Sequence, residues 1–389
     1  MRVLLLYGDG TQAIPTILSL RRQGYIVDSI SGSKFGYGSN SRYLNKCYLY
    51  EDVEDVDGFY LYLNGLLKSE RYDAIIPMRD ENTKVLCKYR EQLLRYTQFV
   101  VPDDVTFERG FDKHKLMEIC QQRGYPHPRT ILIEGDSLDG VNLSDLKYPA
   151  LIKPNHTAGG RGMTLVQNAE ELYDRFPHIY GLYGACHIQE YIPQGGSQVE
   201  VQLYINENRE LVNSSVIYKY RWYPENGGSS CCAKSVKNKK IVDTLYHLLL
   251  DIGWVGFADF DTIEDPRTGE LLIMELNPRL PACIKAIFEA GLDWAEIIVN
   301  DYLGLPQKNY DYKEGSFLRH LGFEFLWFFY SKNRWTTKPN WFKFLGKDIH
   351  YQDMSDWTDP LPFIKGTFGN IKKQFNPEFR RSKSGTREQ

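Results

Sequence analysis

The 389-residue chain lacks the features that mark several classes of protein. Its seven cysteines form no CxxC pair, so they indicate neither a zinc site nor a disulfide framework and fit reduced thiols in a cytosol. No stretch approaches 18 consecutive apolar residues, so no membrane-spanning helix is expected. The 47 basic and 50 acidic residues give a net charge of only −3, without the basic excess typical of nucleic-acid binding. We therefore expect a cytoplasmic protein with no nucleic-acid partner and no transmembrane span.

Alternating strand and helix patterns fill the first quarter of the chain. Residues 3–7 are apolar, residues 8–10 form a Gly-Asp-Gly turn, and residues 13–20 have helical spacing. The N-terminal apolar run is too short for a signal peptide and predicts a first strand. A second buried-type strand, residues 72–77, ends at a proline. This alternation predicts a parallel α/β layer up to about residue 107.

A lysine at the end of an apolar strand is followed by a glycine-rich loop. Residues 149–152 lead into Lys153, and the loop contains Gly159, Gly160, Arg161 and Gly162. Glycines let backbone N–H groups approach phosphate oxygens, and a lysine supplies positive charge. A hairpin with a flexible glycine turn and a solvated lysine is the alternative. The pattern alone does not separate the two interpretations.

Two later strand patterns place oxygen ligands close together. Glu275 and Asn277 are two residues apart and share a strand face, and hairpin pairing would bring Asp261 beside them. Such an all-oxygen cluster suits Mg²⁺. The alternative is a pair of solvent-facing acidic strands, but apolar residues flank the polar ones and a buried carboxylate cluster needs a cation. Asp259 is the second choice for the first ligand.

A third segment, residues 187–193, predicts a strand that runs into a turn. Its residues Glu190, Tyr191 and Ile192 would offer backbone donors and acceptors to a purine edge. An ordinary core strand is the alternative interpretation.

In this order, the three segments resemble the ATP-grasp superfamily. The resemblance includes Asp112-Lys113, the turn at residues 124–128, and the Glu-Leu-Asn-Pro-Arg motif at residues 275–279, which is among the most specific signatures of that superfamily. Residues 72–77 followed by Asp80-Glu81 are similar to the carbamoyl-phosphate-synthase-like branch. The resemblance implies an α/β fold whose parts are a parallel pre-ATP-grasp domain (1–107), a lid subdomain (108–188), a C-terminal ATP-grasp subdomain (189–318) and an aromatic, basic extension (319–389).

The resemblance also implies ATP as cofactor and a role for each matching residue. It assigns the phosphates to Lys113 and Lys153, with Gly159, Gly160, Arg161 and Gly162 in a mobile lid. It assigns adenine to Glu190, Tyr191 and Ile192. The usual ribose-binding acid is replaced by Gln198, with Glu200 nearby, so the ribose contact is less defined.

The implied metal is Mg²⁺, one ion or two, with Mn²⁺ as an alternative, and the implied ligands are Asp261, Glu275 and Asn277. Lys153 and Arg279 would stabilise the transferring phosphoryl group. The implied reaction is ligation: a small-molecule carboxylate becomes an acyl phosphate, and an amine, or less often a thiol, displaces the phosphate. The sequence leaves the substrates open, with surface-polysaccharide or amino-acid chemistry as candidates, and it leaves a homo-oligomer open.

Two other functions compete with ligation. One is a non-catalytic nucleotide-binding module, against which the full set of lysines and metal ligands argues. The other is dinucleotide binding, because Gly8, Gly10 and Ala13 fit a GxGxxA turn and Asp28 lies twenty residues beyond Gly8. However, any parallel α/β domain needs a tight first turn, and no hydride-transfer site accompanies this one.

The extension from residue 319 is rich in tryptophan, phenylalanine and lysine. Residues 323–330 are mostly aromatic but too few to span a bilayer. We expect the extension to pack against the ATP-grasp core. A peripheral membrane contact is the alternative, but Asp353, Asp356 and Asp359 would oppose attraction to an anionic leaflet.

Overall fold

The computed structural model describes residues 1–52, 55–156, 162–223, 225 and 229–375. The strands are β1 Arg2–Leu6, β2 Ile26–Ser31, β3 Lys46–Leu49, β4 Ala74–Pro77, β5 Thr130–Ile131, β6 Ala150–Pro154, β7 Thr164–Val166, β8 Cys186–Glu190, β9 Gln198–Ile205, β10 Leu211–Tyr223, β11 Ser229–Val236, β12 Gly256–Glu264, β13 Leu271–Asn277, β14 Phe317–Arg319 and β15 Ile349–Tyr351.

The α-helices are α1 Ala13–Arg22, α2 Val56–Ser69, α3 Asp80–Lys88, α4 Arg90–Leu93, α5 Asp104–Phe111, α6 Lys113–Arg123, α7 Ala169–Tyr183, α8 Lys239–Ile252, α9 Lys285–Ala290, α10 Trp294–Tyr302, α11 Leu321–Tyr330 and α12 Leu361–Gln374. The chain divides into two compact units. The first unit comprises Met1–Phe107, Glu200–Asp259 and Asn277–Ile371, and the second comprises Glu108–Val199, Phe260–Leu276 and the described residues from Lys372 onward.

The N-terminal sheet of the first unit is parallel, with the strand order β3-β2-β1-β4. Four of the five β1 residues are buried, and helix α1 begins at Ala13 after the Gly-Asp-Gly turn. The predicted α/β class and the parallel N-terminal layer are therefore confirmed. Strand β3 was not predicted. Two of its four residues are half-buried and two are exposed, and its apolar and polar residues do not alternate clearly.

The second unit has an antiparallel four-stranded sheet with the order β5-β8-β6-β7. Helix α7 packs on this sheet, and Leu172 and Phe176 join Ile152 and Ile188 in its buried core. Strands β6 and β8 pair so that Lys153 lies opposite His187 and Leu151 lies opposite Gln189. The polar side chains of Lys153, His187 and Gln189 therefore lie on one face of the sheet, and Ile152 and Ile188 lie on the face that packs in the apolar core.

Helix α6 of the second unit begins and ends where its capping residues predict. The Asp112 carboxylate accepts hydrogen bonds from the backbone N–H groups of His114 (2.8 Å) and Lys115 (3.1 Å). Gly124 ends the helix in the left-handed conformation at φ 75°. Lys113 consequently occupies the first helical position.

The largest sheet has seven strands in the order β13-β12-β9-β10-β11-β14-β15. Strands β10, β11, β14 and β15 belong to the first unit, and the chain crosses between units along β9, β12 and β13. Strand β14 pairs with β11 and β15, so the start of the C-terminal extension completes this sheet. Helix α11 packs on β10 and β11, as expected for an extension that covers part of the core.

A buried ionic cluster joins the extension to β10. Glu324 of α11 accepts hydrogen bonds from Arg221 (2.7 Å) and Arg319 (2.8 Å), and all three side chains are at most 2% exposed. Trp327 and Trp341 pack beside them with Cys231. Among the described residues, no helix is long and apolar enough to cross a membrane.

Candidate functional site

Lys153 is buried at the end of β6, with 4% of its surface exposed. Its ammonium group donates a hydrogen bond of 2.8 Å to the Gln189 side chain on β8. Gln189 in turn donates to the Thr130 hydroxyl at 3.0 Å. The lysine is thus held in one orientation by a neutral partner, which leaves its charge uncompensated by direct contact with a carboxylate.

Lys113 and Glu275 complete the charge distribution around Lys153. The Lys113 ammonium lies 3.1 Å from the Glu275 carboxylate, and these side chains are 13% and 30% exposed. Burial lowers the pKa of Lys153 to about 8; the neighbouring Lys113 also lowers it, and Glu275 opposes both effects. The second unit therefore brings together three residues that the sequence analysis assigned to phosphate and metal. A buried ammonium group that contacts a neutral side chain is suited to binding an anion.

His187 lies beside this group and is fully buried. Its Nδ1 is 2.8 Å from the Asn155 side-chain oxygen, and its Nε2 has no hydrogen-bond partner among the described residues. Burial, together with the charges of Lys153 and Lys113, holds the pKa of His187 well below its ordinary value. A neutral imidazole adds no positive charge at neutral pH. The sequence analysis missed His187 and Gln189 as partners, although they are alternate residues of the segment it singled out.

Three side chains at the start of α6 could hold a cation by distance alone. Ligand atoms of Glu108, Asp112 and His156 lie within 4.8 Å of one another. His156 is 2.9 Å from Asp112, which also caps α6. Burial raises the pKa of Asp112, but hydrogen bonds from His156 and the Lys115 N–H outweigh it and lower the pKa overall. Capping and the ion pair account for this arrangement.

The predicted adenine-binding segment follows β8. The backbone N–H groups of Glu190 and Tyr191 donate to the carbonyls of Arg129 (2.8 Å) and Pro149 (3.2 Å). The Glu190 carboxylate accepts a hydrogen bond of 2.7 Å from Arg267. Ile192 is buried, with 6% exposed. The assignment of this segment to adenine stays a prediction.

Of the predicted lid, Gly159, Gly160 and Arg161 lie outside the described residues. Gly162 has φ +74°, and a Cβ atom there would lie 2.7 Å from Pro154 and 2.8 Å from the Tyr183 ring. A side chain at this position would be excluded both by its backbone conformation and by its neighbours. Glycine is therefore required at this position of the predicted phosphate-binding loop.

The predicted metal ligands lie on adjacent strands of the seven-stranded sheet. Asp261 is half-buried on β12, Glu275 is half-buried on β13, and Asn277 ends β13 with 8% exposed. Asp259, the second choice, is 1% exposed and accepts a hydrogen bond of 2.8 Å from Gln202 within the first unit. All of these side chains present oxygen atoms, which is the donor set that Mg²⁺ prefers.

Arg279 belongs to the first unit and follows β13. Its guanidinium lies 3.1 Å from the Asp80 carboxylate and 3.4 Å from the Asn277 side-chain oxygen. Asp80 begins α3, directly after the parallel strand β4. Asp80, from the segment that resembles the carbamoyl-phosphate-synthase-like branch, therefore contacts the arginine that ends the superfamily motif.

The two candidate ribose residues differ in their surroundings. Gln198 is half-buried at the start of β9 in the second unit. Glu200 of the first unit forms an ion pair with Lys219 and contacts the Cys283 thiol. Burial and the Glu200 charge raise the pKa of Cys283 well above its ordinary value. Both Glu200 oxygens therefore already have partners, whereas the structure leaves the role of Gln198 a prediction.

The structure argues against the alternative dinucleotide site, because the acidic residue that this site would need is buried and already has partners. Asp28 is fully buried within β2, pairs with Arg2 at 2.5 Å and accepts a hydrogen bond of 2.8 Å from Tyr72. A ribose-binding acid must stand at the open end of its strand. Asp28 instead compensates the half-buried Arg2, so the GxGxxA turn at residues 8–13 serves the fold.

Comparison with known proteins supports the resemblance. Residues 111–283, less than half of the chain, match the ATP-grasp domain family. The resemblance is therefore confirmed for this segment.

Two curated relatives sharpen the identification. The chain is 25% identical over 252 residues to the D-aspartate ligase of Enterococcus faecium (strain Aus0004), covering 60% of this chain and 59% of that protein. It is 24% identical over 214 residues to the C-terminal section of a carbamoyl phosphate synthase large chain from Methanopyrus kandleri, covering 52% of this chain and 39% of the relative. The chain thus spans less than two thirds of the length of both relatives.

Solved structures show the same fold. A biotin carboxylase from Campylobacter jejuni in complex with β,γ-ATP has a TM-score of 0.64 at 17% identity, covering 81% of this chain and 74% of that chain. An L-amino acid ligase from Bacillus licheniformis has a TM-score of 0.61 at 16% identity, covering 81% of this chain and 78% of that one.

Proposed function

We propose that this protein is an ATP-dependent ligase that activates a substrate carboxylate as an acyl phosphate and joins it to an amine. The observation that carries the proposal is the group formed by Lys113, Lys153 and Glu275, within the part of the chain that matches the ATP-grasp domain. Two buried or half-buried lysines beside one carboxylate are suited to a polyphosphate. Lys153 contacts the neutral Gln189 side chain rather than a carboxylate, so its charge is suited to an anionic ligand.

The ligand set fits a divalent cation. Asp261, Glu275 and Asn277 supply two carboxylates and an amide oxygen, and we propose that they hold one or two Mg²⁺ ions, with Mn²⁺ as the substitute. Glu275 is already close to a cation, Lys113, so its position tolerates positive charge. A Mg²⁺ ion held by these residues would offset the negative charge of the phosphates.

The chain's own residues would perform the remaining tasks. We propose that Lys113 and Lys153 bind the phosphates, that Glu190, Tyr191, Ile192 and Gln198 contact the nucleoside, and that Arg279 stabilises the transferring phosphoryl group. In the first step, a carboxylate oxygen of the substrate attacks the γ-phosphorus, the bond to the β,γ-bridging oxygen breaks, and ADP leaves. In the second, the amine nitrogen attacks the acyl carbon, phosphate leaves, and the amine loses a proton.

The relatives favour amino acids as the substrate class. One curated relative is a D-aspartate ligase, and one structural neighbour is an L-amino acid ligase. We therefore propose that at least one substrate is an amino acid. A cytoplasmic location is part of the same proposal, because none of the seven cysteines, all within the described ranges, forms a disulfide.

The test is a phosphate-release screen that crosses carboxylates with amines, including D- and L-amino acids, in the presence of ATP and Mg²⁺. We expect phosphate release only when both substrates are present, together with a product whose mass equals the two substrates less one water. A Glu275→Gln preparation, purified identically, controls for contaminating ATPases. ATP binding without release for any pair would contradict the proposal and favour a nucleotide-binding module.

A further inference from the structure

A cluster of exposed aromatic side chains lies on the C-terminal extension. Its members, which we call the aromatic patch, are Phe325, Phe329, Tyr330, Trp335 and Phe342, and they are between 49% and 70% exposed. The patch rests on the buried residues Trp327 and Trp341. Large aromatic groups exposed together usually mark a binding surface.

Ring contacts hold the aromatic patch together. Trp335 and Phe342 stack with their centroids 5.7 Å apart. Phe328 contacts both of them, at 5.3 Å and 5.9 Å, and Phe325 packs edge-on against Trp341 at 5.7 Å. Part of the patch is therefore held by ring contacts, so ordering Trp335, Phe342 and Phe325 for binding would cost little entropy.

The segment that carries the patch is basic. Residues 325–347 contain five basic and no acidic side chains: Lys332, Arg334, Lys338, Lys343 and Lys347. The whole chain is net negative, so this segment is a local exception. Lys343 pairs with Asp348 at 3.0 Å, and Lys338 and Lys347 are exposed. An anionic partner is what this distribution would attract.

Helix α12 shows the same combination of features. Leu361, Ile364, Phe368 and Ile371 form an apolar stripe at spacings of three and four residues, and each is 43–56% exposed. The opposite face is anchored, because Gly366 and Gly369 lie directly against Tyr37 and Phe35. Residues 361–375 include three lysines and no acidic residue.

We propose that the aromatic patch and the apolar stripe of α12 attach this protein peripherally to an anionic membrane surface. Aromatic side chains favour the boundary between headgroups and acyl chains, and lysines beside them favour anionic headgroups. Self-association through the patch is disfavoured, because a two-fold contact would pair the basic segment with itself. The proposal does not depend on the ligase activity.

Co-sedimentation of the full chain with vesicles tests the proposal. We expect binding to vesicles of equal parts phosphatidylcholine and phosphatidylglycerol, little binding to phosphatidylcholine alone, and weaker binding as salt rises. Lys338→Glu with Lys347→Glu should reduce the affinity by at least about thirtyfold, since each basic residue near an anionic leaflet contributes roughly a factor of five. Trp335→Ser with Phe342→Ser should reduce it as well, which a purely ionic contact would not show. Ile364→Ser with Phe368→Ser examines α12 separately.

Two matched controls carry the same chemical changes elsewhere. Lys239→Glu with Lys240→Glu reverses two exposed charges on α8, and Leu61→Ser removes an apolar side chain of α2 that is 68% exposed. Both should bind vesicles as the parent does, and circular dichroism should show all variants folded. Equal binding to neutral vesicles, equal losses in test and control variants, or no binding to either vesicle would overturn the proposal. A chain that dimerises in solution and becomes monomeric in the Trp335→Ser, Phe342→Ser variant, without binding vesicles, would assign the surface to a second copy instead.

Discussion

Each of the two units contains a pair of cations near one carboxylate, and the charges of the two pairs are compensated differently. In the first unit, Arg221 and Arg319 share the carboxylate of Glu324, and backbone carbonyls accept their remaining N–H groups, such as the Trp341 carbonyl at 2.8 Å from Arg319. In the second unit, Lys113 lies 3.1 Å from Glu275, whereas Lys153 donates to the neutral Gln189 side chain and forms no ion pair among the described residues. Both clusters place two cations near one carboxylate, but in the first both cations contact it, whereas in the second Lys153 does not.

The choice of cation fits this difference. A guanidinium has five donors in a fixed plane and stays charged, so it suits a cluster that joins α11 to the sheet permanently. An ammonium group loses its proton more readily when buried, and the pKa of Lys153 has already fallen to about 8 through burial and Lys113. A site that must accept and release a polyanion gains from a cation whose protonation responds to the ligand. The same substitution in the two clusters should therefore have opposite consequences.

Replacing the shared carboxylate of the first unit should have the largest effect. Glu324→Gln leaves two arginines, each 2% exposed, without an anion, and breaking such a buried pair costs about 3–5 kcal/mol of the free energy of unfolding. We expect a much lower urea midpoint or insoluble protein. Glu289→Gln, at a half-exposed glutamate of α9 in the same unit, is the control and should change the midpoint little. Unchanged stability of Glu324→Gln would show that the two clusters do not differ in this way.

The matching change in the second unit should spare the fold and remove activity. Glu275→Gln keeps the shape but lowers the ligand charge at the proposed metal site, so we expect turnover to fall by at least about a hundredfold. Because Glu275 is 30% exposed and Lys153 can lose its proton, stability should change by less than about 1 kcal/mol. Parallel measurement of urea midpoint and phosphate release checks both. A variant that retains its turnover would remove Glu275 from the metal site.

Removing the buried lysine should weaken nucleotide binding moderately. Lys153→Met eliminates a charge-assisted phosphate contact worth about 1.5–3 kcal/mol, and calorimetric titration with ATP should detect the loss. Lys234→Met is the control, because Lys234 lies on β11 over the Phe317 ring and has no proposed contact with phosphate. Equal ATP affinities for the two variants would show that Lys153 is not a phosphate ligand.

The parts that the sequence predicted well were those encoded locally. Helix α6 follows from Asp112 and Gly124, which cap it within eleven residues, and the parallel N-terminal layer follows from the apolar runs of β1 and β4. Local patterns singled out Lys153 and Glu275 and the family resemblance added Lys113, but no local pattern showed that the three lie together. Residues this far apart in sequence meet through strand pairing, for which one sequence offers no local signal.

Helix α12 and the Arg221–Glu324 pair show why other features were missed. Helix α12 contains Gly366 and Gly369, which lower helix propensity, yet a Cβ atom at residue 366 would lie 2.3 Å from the Tyr37 ring. Packing therefore requires the residues that argue against a helix. Arg221 and Glu324 are separated by 103 residues and appear unremarkable in the sequence. In both cases tertiary contacts override the local pattern.

The pH dependence of ATP binding should give the smallest effect and separates the two clusters most directly. A bound phosphate favours the charged form of Lys153, so binding above pH 8 must take up a proton, and affinity should fall by up to about tenfold per pH unit there. Below pH 8 the lysine is already charged, so this group makes the affinity nearly independent of pH. The free energy of unfolding should change in the opposite direction. Between about pH 8 and 10.5, the unfolded lysine, with a pKa of 10.5, binds more protons than the folded one. The contribution of Lys153 to the free energy of unfolding therefore increases with pH over this range.

Lys153→Arg provides the comparison, because an arginine stays charged throughout this range. We expect its ATP affinity to lose the decrease above pH 8 that the parent shows, even if its absolute affinity is lower. Calorimetric titration at several pH values, in buffers of different ionisation enthalpy, measures both the affinity and the proton uptake. The same pH-dependent decrease in both proteins would mean that another group titrates. In that case the buried lysine would be no more responsive to the ligand than the arginines of the first unit.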